Sequence, residues 1–175
     1  EANILAMRAD STGSCTQPDG CAFFYSAIAA GIDRSVQNGA KVINISLGGS
    51  PPSNSVRSAV ARAASAGVVI VVSAGNDADS PTPSQDPNNP DPFSVGIRAA
   101  GNGNVDSGNV LSDFANRAGG EASWYLSALG ERICCVYEGS TPKITVQGGQ
   151  NFVTVISGTS FSSPQIAGAA ALLEK

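Results

Sequence analysis

The sequence predicts a doubly wound α/β fold of three layers, with helices on both faces of a mostly parallel sheet. Strand-like runs alternate with helix-length segments between residues 3 and 74, which is the order that builds such a sheet. The run 68-VVIVVSA-74 is apolar on both faces, as is typical of a strand covered by helices on each side. The 175 residues, 42% of them hydrophobic, are enough for one domain with its own core.

The elements of the first half follow from apolar spacing and from turn residues. The run 3-NILAMRA-9 is strand-like, and 41-KVINIS-46 is a second short strand. Between them, residues 22–40 are predicted to contain a helix, with an apolar residue at every fourth position and a glycine at its end. The apolar positions are Phe24, Ile28, Ile32 and Val36, and the glycine is Gly39. A second helix is expected over 56–66, with Ser55 as its N-cap and Gly67 as its stop.

The second half begins with a proline-rich segment, 77-DADSPTPSQDPNNPDP-92, which predicts a long surface loop. Its four aspartates offer oxygen ligands for a cation, but the spacing of an EF-hand is absent, which favours a solvated loop. Further strands are expected at 93–100, 131–137, 143–147 and 152–157, with a turn at 101-GNGN-104 and a closing helix after residue 157. The aspartates are Asp77, Asp79, Asp86 and Asp91.

Composition excludes several classes of protein. The formal net charge is −4, and the ten lysines and arginines are scattered along the chain, so a nucleic-acid partner is not expected. No apolar run reaches the 18 to 20 or so residues of a membrane helix. The chain starts on a strand-like run without methionine or signal peptide, and we therefore expect residue 1 to be a cut into a longer protein.

Four cysteines in a chain with only 14% charged residues favour an oxidising compartment. Cys15 and Cys21 bracket a loop of turn-forming residues, and this spacing allows a small disulfide. For the adjacent Cys134 and Cys135, a disulfide and buried free thiols are equally acceptable interpretations. A metal site among them is not expected, because the chain has no CxxC motif and no histidine.

Three segments carry the candidate chemistry. In 157-SGTSFSSPQIAGAAALL-173, Ser160 precedes an apolar helix rich in Gly and Ala, where free backbone N–H groups suit a developing oxyanion. In 73-SAGN-76, Gly75 allows a tight turn that projects the Asn76 amide at the carboxyl edge of the sheet. The segment 46-SLGG-49 leaves a strand at the same edge and lets a peptide backbone approach. Each also has a plain interpretation as a cap or a turn.

Together these motifs resemble those of the subtilisin-like serine peptidases, or subtilases, over nearly the whole chain. The matching residues are 44-NISLGG-49, 74-AGN-76 and 158-GTSFSSPQIAGAAALL-173, in the order and separation of that family. The resemblance implies that Ser160 is the nucleophile and that Asn76 is the oxyanion donor. It further implies that the cleft lining includes Ser46, Leu47, Gly48, Ala74 and Gly75.

The resemblance also accounts for the missing histidine. In subtilases the catalytic aspartate and histidine precede the part that this chain matches, so the chain is expected to be the C-terminal half of a catalytic domain and to be inactive alone. The parent is expected to be a secreted or cell-surface serine endopeptidase acting on polypeptides, which needs no cofactor, although the family allows bound calcium. Gln165 stands where the family commonly has a non-catalytic histidine, a feature reminiscent of bacterial autotransporter subtilases.

The main alternative is a non-catalytic subtilase-like domain that binds a peptide or partner through the SLGG edge. A sedolisin-type peptidase, whose serine is served by a carboxylate, predicts Asp where Asn76 stands. A Ser–Lys dyad needs a lysine near the serine, but none of the three lysines lies near an edge motif in the sequence. They are Lys41, Lys143 and Lys175. We rank both of these enzyme types low.

The fold is expected to be incomplete on its N-terminal side. In the family the aspartate-bearing strand lies between the strands that correspond to 3–9 and 41–46, so this chain lacks an interior strand. An open gap leaves backbone groups unpaired and apolar surface bare. We therefore expect the missing N-terminal segment or a second copy to complete the sheet, or strand 3–9 to shift and close the gap.

Overall fold

The computed structural model describes residues 2–16, 20–48, 52–76, 112–116 and 123–174. The predicted loop 77–92 with its four aspartates, the strand 93–100, the turn 101–104 and Lys175 lie outside these ranges, so those predictions stay open. None of the helices in the described ranges has the length and apolar character needed to cross a membrane.

The first half of the chain forms a βα layer structure of the predicted kind. After a short 3-10 turn at Ser14–Thr16 come α1 (Tyr25–Gln37), β1 (Val42–Ile45), α2 (Asn54–Ser65) and β2 (Val69–Val72). Strands β1 and β2 pair in parallel, from Val42 opposite Val69 to Ile45 opposite Val72. The predicted parallel α/β arrangement is thus confirmed for these two strands.

The helices cover both faces of the β1–β2 pair. Helices α1 and α2 pack on one face, where the apolar cluster includes Ile32, Ile43, Val56 and Ile70. The last helix, α3 (Thr159–Leu173), packs on the other face, where Val71 contacts Ile166 and Ala167. Successive strand side chains point to opposite faces, which explains why the run 69–72 is apolar at every position.

The helix ends agree with the sequence at the glycines and differ at one cap. Gly39 and Gly67 follow α1 and α2 with φ of 79° each, a left-handed conformation that glycine adopts without strain. The N-cap of α2 is Ser53, whose hydroxyl accepts the N–H of Val56. The prediction of Ser55 as N-cap was wrong, because the helix begins two residues earlier than its apolar pattern indicates.

The second half contains short antiparallel pairs in place of long strands. These are β3 (Ile133–Cys134) with β8 (Val155–Ile156), β4 (Tyr137–Glu138) with β5 (Thr141–Pro142), and β6 (Ile144–Gln147) with β7 (Gln150–Val153). The predicted strands 131–137 and 152–157 are therefore each divided in two. Gly148 and Gly149, with φ of 59° and 77°, form the turn of the β6–β7 hairpin, where both central residues need positive φ.

Both cysteine pairs are disulfides. Cys15 is bonded to Cys21, as the loop spacing allows, and Cys134 is bonded to Cys135. Of the two interpretations for the adjacent pair, buried free thiols is the wrong one, since Cys134 is also exposed.

Residues 2–9 do not form the predicted strand. They belong to none of the sheets in the described part of the chain, and the nearest pairing is a single bridge between Asp10 and Phe23. A groove of about 1210 Å³ separates them from β1. Closure of the gap by a shifted strand 3–9, one of the three predicted outcomes, is therefore wrong, because the segment lies across this groove from β1 and forms no ladder with it.

Candidate active site

Ser160 lies in the first turn of α3 and is partly exposed. The helix begins after Gly158, whose N–H donates to the carbonyl of Gly130 at 2.7 Å. The Ser160 hydroxyl has no hydrogen bond to any side chain or backbone group that the structure describes. Two of the first N–H groups of the helix already have acceptors: that of Thr159 donates to Asn76 Oδ1 and that of Phe161 to the Gly158 carbonyl.

Pro164 frees the backbone carbonyl of Ser160 for a contact with the sheet. In an α-helix this carbonyl accepts the N–H of the residue four positions later, but proline has no N–H to give. The hydroxyl of Ser46 donates to it instead, at 3.0 Å. The residue that follows β1 is thereby fastened to the first turn of α3.

The Asn76 side chain is oriented by Thr159. Its Oδ1 accepts the backbone N–H of Thr159 at 2.9 Å and the Thr159 hydroxyl at 3.0 Å, and that hydroxyl accepts the N–H of Gly75 at 3.1 Å. Gly75 has a φ of 96°, a turn that few other residues make without strain. Two donors on Oδ1 assign the amide. Nδ2 has no acceptor among the described residues and lies 3.6 Å from a Cβ placed on Gly158.

A second network joins β1 to α3. The hydroxyl of Ser163, which is fully buried, donates to Oδ1 of Asn44 at 2.6 Å. Asn44 Nδ2 donates in turn to the Ser46 hydroxyl at 3.0 Å, and Ser46 reaches the Ser160 carbonyl. The position of Ser160 therefore depends on side chains from β1 and from its own helix.

The structure brings the predicted site residues to one edge of the sheet. Ser46, Leu47 and Gly48 follow β1, and Ala74, Gly75 and Asn76 follow β2. The two segments are joined where the Ser73 hydroxyl donates to the Leu47 carbonyl at 3.1 Å. Leu47 is partly buried against the core, whereas Gly48 is exposed.

Sequence reasoning did not single out Thr159, Asn44 or Ser163. All three lie inside the quoted motifs, at the first position of NISLGG and within GTSFSSP. For Thr159 and Ser163, which are fully buried, the available signal was a polar residue in an apolar helix, since a buried polar side chain needs a hydrogen-bond partner.

Gln165 connects α3 to the segment before β3. Its Nε2 donates to the carbonyl of Leu129 at 2.6 Å and to that of Phe161 at 2.8 Å. An amide side chain does not take up a proton near neutral pH. Gln165 therefore makes a structural contact and cannot act as a base. The autotransporter subgroup stays a prediction.

The ion pairs among the described residues do not include a residue of this site. The pKa of Asp33 is lowered mainly by its hydrogen bond from Arg62, and hydrogen bonding to Asp10 raises the pKa of Arg8. Lys143 pairs with Glu138 in the antiparallel region, and Lys41 precedes β1, at the strand end opposite to Ser46. Neither lysine is placed to form a dyad with Ser160.

No cluster of three or more metal-ligating side chains is present among the residues that can be described. The four aspartates of 77–92 lie outside the described ranges, so a cation at that loop stays a prediction.

Comparison with known proteins identifies the family. The subtilase family (Peptidase S8) matches residues 1–175. Subtilisin DY from Bacillus licheniformis is 35% identical over 151 residues, covering 85% of this chain and 48% of its own length. Thermitase from Thermoactinomyces vulgaris is 32% identical over 174 residues, covering 99% of this chain and 52% of its own. The chain thus spans about half the length of the curated relatives it matches.

Solved structures agree with this result. The self-cleaved protease domain of PatA is 27% identical with a TM-score of 0.59, over 86% of this chain and 51% of that one. The prenylagaramide maturation protease PagA shares the fold, with a TM-score of 0.62 at 22% identity, over 88% of this chain and 50% of that one. On the motifs, the geometry around Ser160 and these matches, the chain belongs to the subtilase family of serine peptidases.

Proposed function

We propose that this chain is the nucleophile-bearing half of a serine endopeptidase, with Ser160 as the nucleophile and Asn76 as the oxyanion donor. One observation carries the proposal: Thr159 holds Oδ1 of Asn76 with two hydrogen bonds. The amide N–H₂ is consequently held near Gly158, two residues before the serine that would attack. Preorganised donors of this kind stabilise the charge that develops in the transition state.

In this mechanism the Ser160 Oγ attacks the carbonyl carbon of a peptide bond as its proton passes to a general base. The carbonyl oxygen becomes an oxyanion, which Asn76 Nδ2 and the backbone N–H of Ser160 stabilise. Collapse of the intermediate expels the amine, which takes the proton, and leaves an acyl ester on Ser160. Water then hydrolyses the ester by the same route.

The substrate would lie along the segments that follow β1 and β2. Ser46, Leu47 and Gly48 lie next to Ala74 and Gly75 at the same edge of the sheet, so an extended peptide running over this edge would reach Ser160. Gly48 is exposed and has no neighbour within 4 Å of a Cβ placed on it. A peptide backbone can therefore approach closely and pair as an added strand.

The base is proposed to come from a different polypeptide segment, because the chain has no histidine. A serine hydroxyl is a weak nucleophile near neutral pH without such a base. The isolated chain is accordingly expected to be inactive. We further propose that the complete enzyme acts on extracellular polypeptides, in keeping with the two disulfides, and that it takes no catalytic step through a metal.

The test adds a segment that carries the proposed general base. The chain is produced with a subtilase N-terminal segment that carries the family's Asp and His, either fused or co-expressed, and hydrolysis of a fluorogenic peptide is followed. We expect turnover with the segment and none without it. Ser160→Ala should abolish turnover, whereas Ser58→Ala, on the exposed face of α2, should leave it unchanged. Turnover that persists in Ser160→Ala refutes the assignment.

Asn76→Ala tests the proposed role of Asn76 as oxyanion donor separately from the role of Ser160. Loss of one oxyanion donor lowers kcat about 10²- to 10³-fold, a magnitude measured in a subtilisin and hence in this same family. KM should change little, since the donor acts in the transition state. An unchanged kcat would contradict the role of Asn76.

One observation favours the non-catalytic alternative, namely that the Ser160 hydroxyl has no described hydrogen-bond partner. If the completed protein binds a peptide at the edge of Ser46 and Gly48 but shows no turnover above the Ser160→Ala background, the binding-domain interpretation is correct.

A further inference from the structure

We propose that the disulfide between Cys134 and Cys135 is a site of thiol–disulfide exchange, which an external dithiol reduces, and that the bond locks a β-bulge near the start of α3. The proposal concerns a chemical modification of this pair. It requires no catalytic activity of Ser160.

The Cys134–Cys135 bond does little as a cross-link. It joins residues that are one position apart in the sequence and that already share a peptide bond. A disulfide stabilises a fold mainly by closing a loop of the unfolded chain, and more so for longer loops. Cys15 and Cys21, by comparison, are six positions apart. The stability of the whole fold therefore does not account for the bond between the adjacent cysteines, and a local role does.

The pair lies where the strand pairing shifts by one residue. Cys134 is opposite Val155 in the ladder of β3 and β8. In a regular ladder Thr154 would come opposite Cys135, but the carbonyl of Thr154 accepts the N–H of Val136 at 2.8 Å. Cys135 is thus one extra residue on its strand, which is the definition of a β-bulge.

The bulge explains how two neighbouring cysteines can be bonded within a strand region. In a regular strand successive side chains point to opposite faces, which keeps adjacent sulfurs apart. The extra residue of a bulge interrupts this alternation, so both sulfurs can come to one side. The bond in turn holds the bulge, because a return to regular pairing would separate the two sulfurs. Reduction of the bond removes this lock.

Exposure determines which sulfur an external thiolate attacks. Cys134 is exposed and Cys135 is partly buried, and attack requires access to the sulfur. A thiolate of the reductant bonds to Cys134 Sγ, the bond between the two protein sulfurs breaks, and Cys135 leaves as a thiolate that takes up a proton. The second thiol of the reductant then loses its proton and attacks the reductant's own sulfur in the mixed disulfide, and Cys134 leaves and takes up a proton. The pair has gained two electrons and two protons, and the dithiol has become a disulfide.

A dithiol fits this site better than a monothiol does. After the first step the Cys135 sulfur lies next to the mixed disulfide, where it can attack Cys134 Sγ and expel the reductant. Such an intramolecular attack has a high effective concentration, so a monothiol is expelled before a second molecule arrives. The second thiol of a dithiol can compete, because its own attack is also intramolecular.

The bulge is connected to the segment that leads to Ser160. Strand β8 continues into Ser157, whose hydroxyl accepts the N–H of Arg132 at 2.9 Å. The next residue, Gly158, donates its N–H to the carbonyl of Gly130 at 2.7 Å. The ladder of β3 and β8 therefore lies between the bulge and the start of α3, and loss of the lock is expected to loosen this ladder.

The first test counts thiols on the 175-residue chain. The chain is incubated with dithiothreitol or, at equal thiol concentration, with glutathione, and free thiols are alkylated with iodoacetamide. Mass spectrometry then measures alkylation of the peptide that contains Cys134 and Cys135. We expect about tenfold more alkylation, or a larger excess, with dithiothreitol. Equal alkylation would overturn the choice of a dithiol, and alkylation seen only after unfolding in urea would overturn the exchange site.

Two single-cysteine variants test which sulfur is attacked. In a background of Cys15→Ser and Cys21→Ser, the substitution Cys135→Ser leaves only Cys134, and Cys134→Ser leaves only Cys135. The Cys134 thiol should react with dithionitrobenzoate about fivefold faster, since accessible thiols react first. Equal rates, or a faster reaction of Cys135, would overturn the assignment of Cys134.

Hydrogen–deuterium exchange tests the lock. Reduction should speed amide exchange in 133–136 and 154–156 about threefold, as expected of a locally loosened segment, and should leave α1 and β1 unchanged. The double variant Cys134→Ser with Cys135→Ser should show the same increase without a reductant. The control variant Cys15→Ser with Cys21→Ser should match the unsubstituted chain before and after reduction, and circular dichroism checks that both variants fold.

Unchanged exchange in both segments of the reduced chain would overturn the lock, as would an increase that the control variant abolishes. The second result would assign the effect to the other disulfide. Because no turnover is measured, failure here leaves the proposed peptidase function untouched, and failure of that function leaves this proposal untouched.

Discussion

The contribution of the Ser46–Ser160 carbonyl hydrogen bond to stability can be measured in a double-mutant cycle with Pro164. The Ser46 hydroxyl donates to this carbonyl at 3.0 Å, and it does so where Pro164 withholds the usual helical donor. Ser46→Ala should therefore leave a part-buried carbonyl with no donor. Net values for such a hydrogen bond cluster near about 1 kcal/mol, so we expect a loss of that size in the free energy of unfolding.

Pro164→Ala restores a backbone N–H that can donate to the Ser160 carbonyl. In that background the carbonyl keeps a partner when the Ser46 hydroxyl is removed, and Ser46→Ala should cost less than half as much. The expected coupling between the two substitutions is about 0.5 to 1 kcal/mol, within the range for residues that share a partner. Replacing proline also raises helix propensity. This gain is the same whether residue 46 is serine or alanine, so it cancels when the two costs of Ser46→Ala are compared.

The assay is urea unfolding of the chain and its three variants, followed by far-UV circular dichroism. A change of about 1 kcal/mol moves the midpoint by about 0.3 to 1 M at the usual slopes for small proteins. Equal costs of Ser46→Ala in both backgrounds, within about 0.3 kcal/mol, would refute the argument that proline frees this carbonyl for Ser46. Ser58→Ala serves as the control for handling and should not shift the midpoint.

Three further predictions follow from single contacts. Thr159→Val should destabilise the chain by about 2 kcal/mol in urea unfolding, since it strands a backbone N–H and removes a second hydrogen bond; a loss no greater than that of Thr159→Ser would contradict it. Ser53→Ala should cost about 0.5 to 1 kcal/mol as a lost N-cap, and Ser55→Ala less; the reverse order would restore the sequence-based assignment. Asp33 has a lowered pKa because of Arg62, so the stability this pair adds is present above the ordinary Asp33 pKa of 3.8 and is lost as pH falls through the lower folded value. Thermal melts should therefore show a difference between the chain and Asp33→Asn at pH 7 that shrinks as the pH falls below 3.8, and a difference that does not shrink with acidification would count against the ion pair.

The sequence predicts elements well where the determinants are local. The apolar spacing in 22–40 locates α1, and the run 68–74 contains β2, since burial on one or both faces leaves a direct pattern in the residues. It fails for residues 3–9, whose composition is equally strand-like. A strand forms only when a neighbouring strand supplies hydrogen bonds. The residues of the segment itself do not show whether such a neighbour is present.

The candidate site shows the same division. Ser160 and Asn76 are found from short motifs, because each motif has a recognisable local geometry. The role of Thr159 could not be read in this way, since its hydroxyl contacts Asn76 across 83 positions of sequence. Asn44 and Ser163 are likewise 119 positions apart, and no local pattern reports that they meet.

These sequence separations have a consequence for the order in which the chain folds. The contact of Asp33 with Arg62 closes a span of 29 residues, whereas that of Asn44 with Ser163 closes 119. Two doublings of span add about 1.2 kcal/mol of loop-closure entropy, and contacts between distant residues slow folding. The unit from α1 to β2 can accordingly assemble early as a platform on which α3 later docks. In this order the geometry around Ser160 is acquired last, and the Asn76 side chain of a nascent chain is not oriented by Thr159 until α3 has docked.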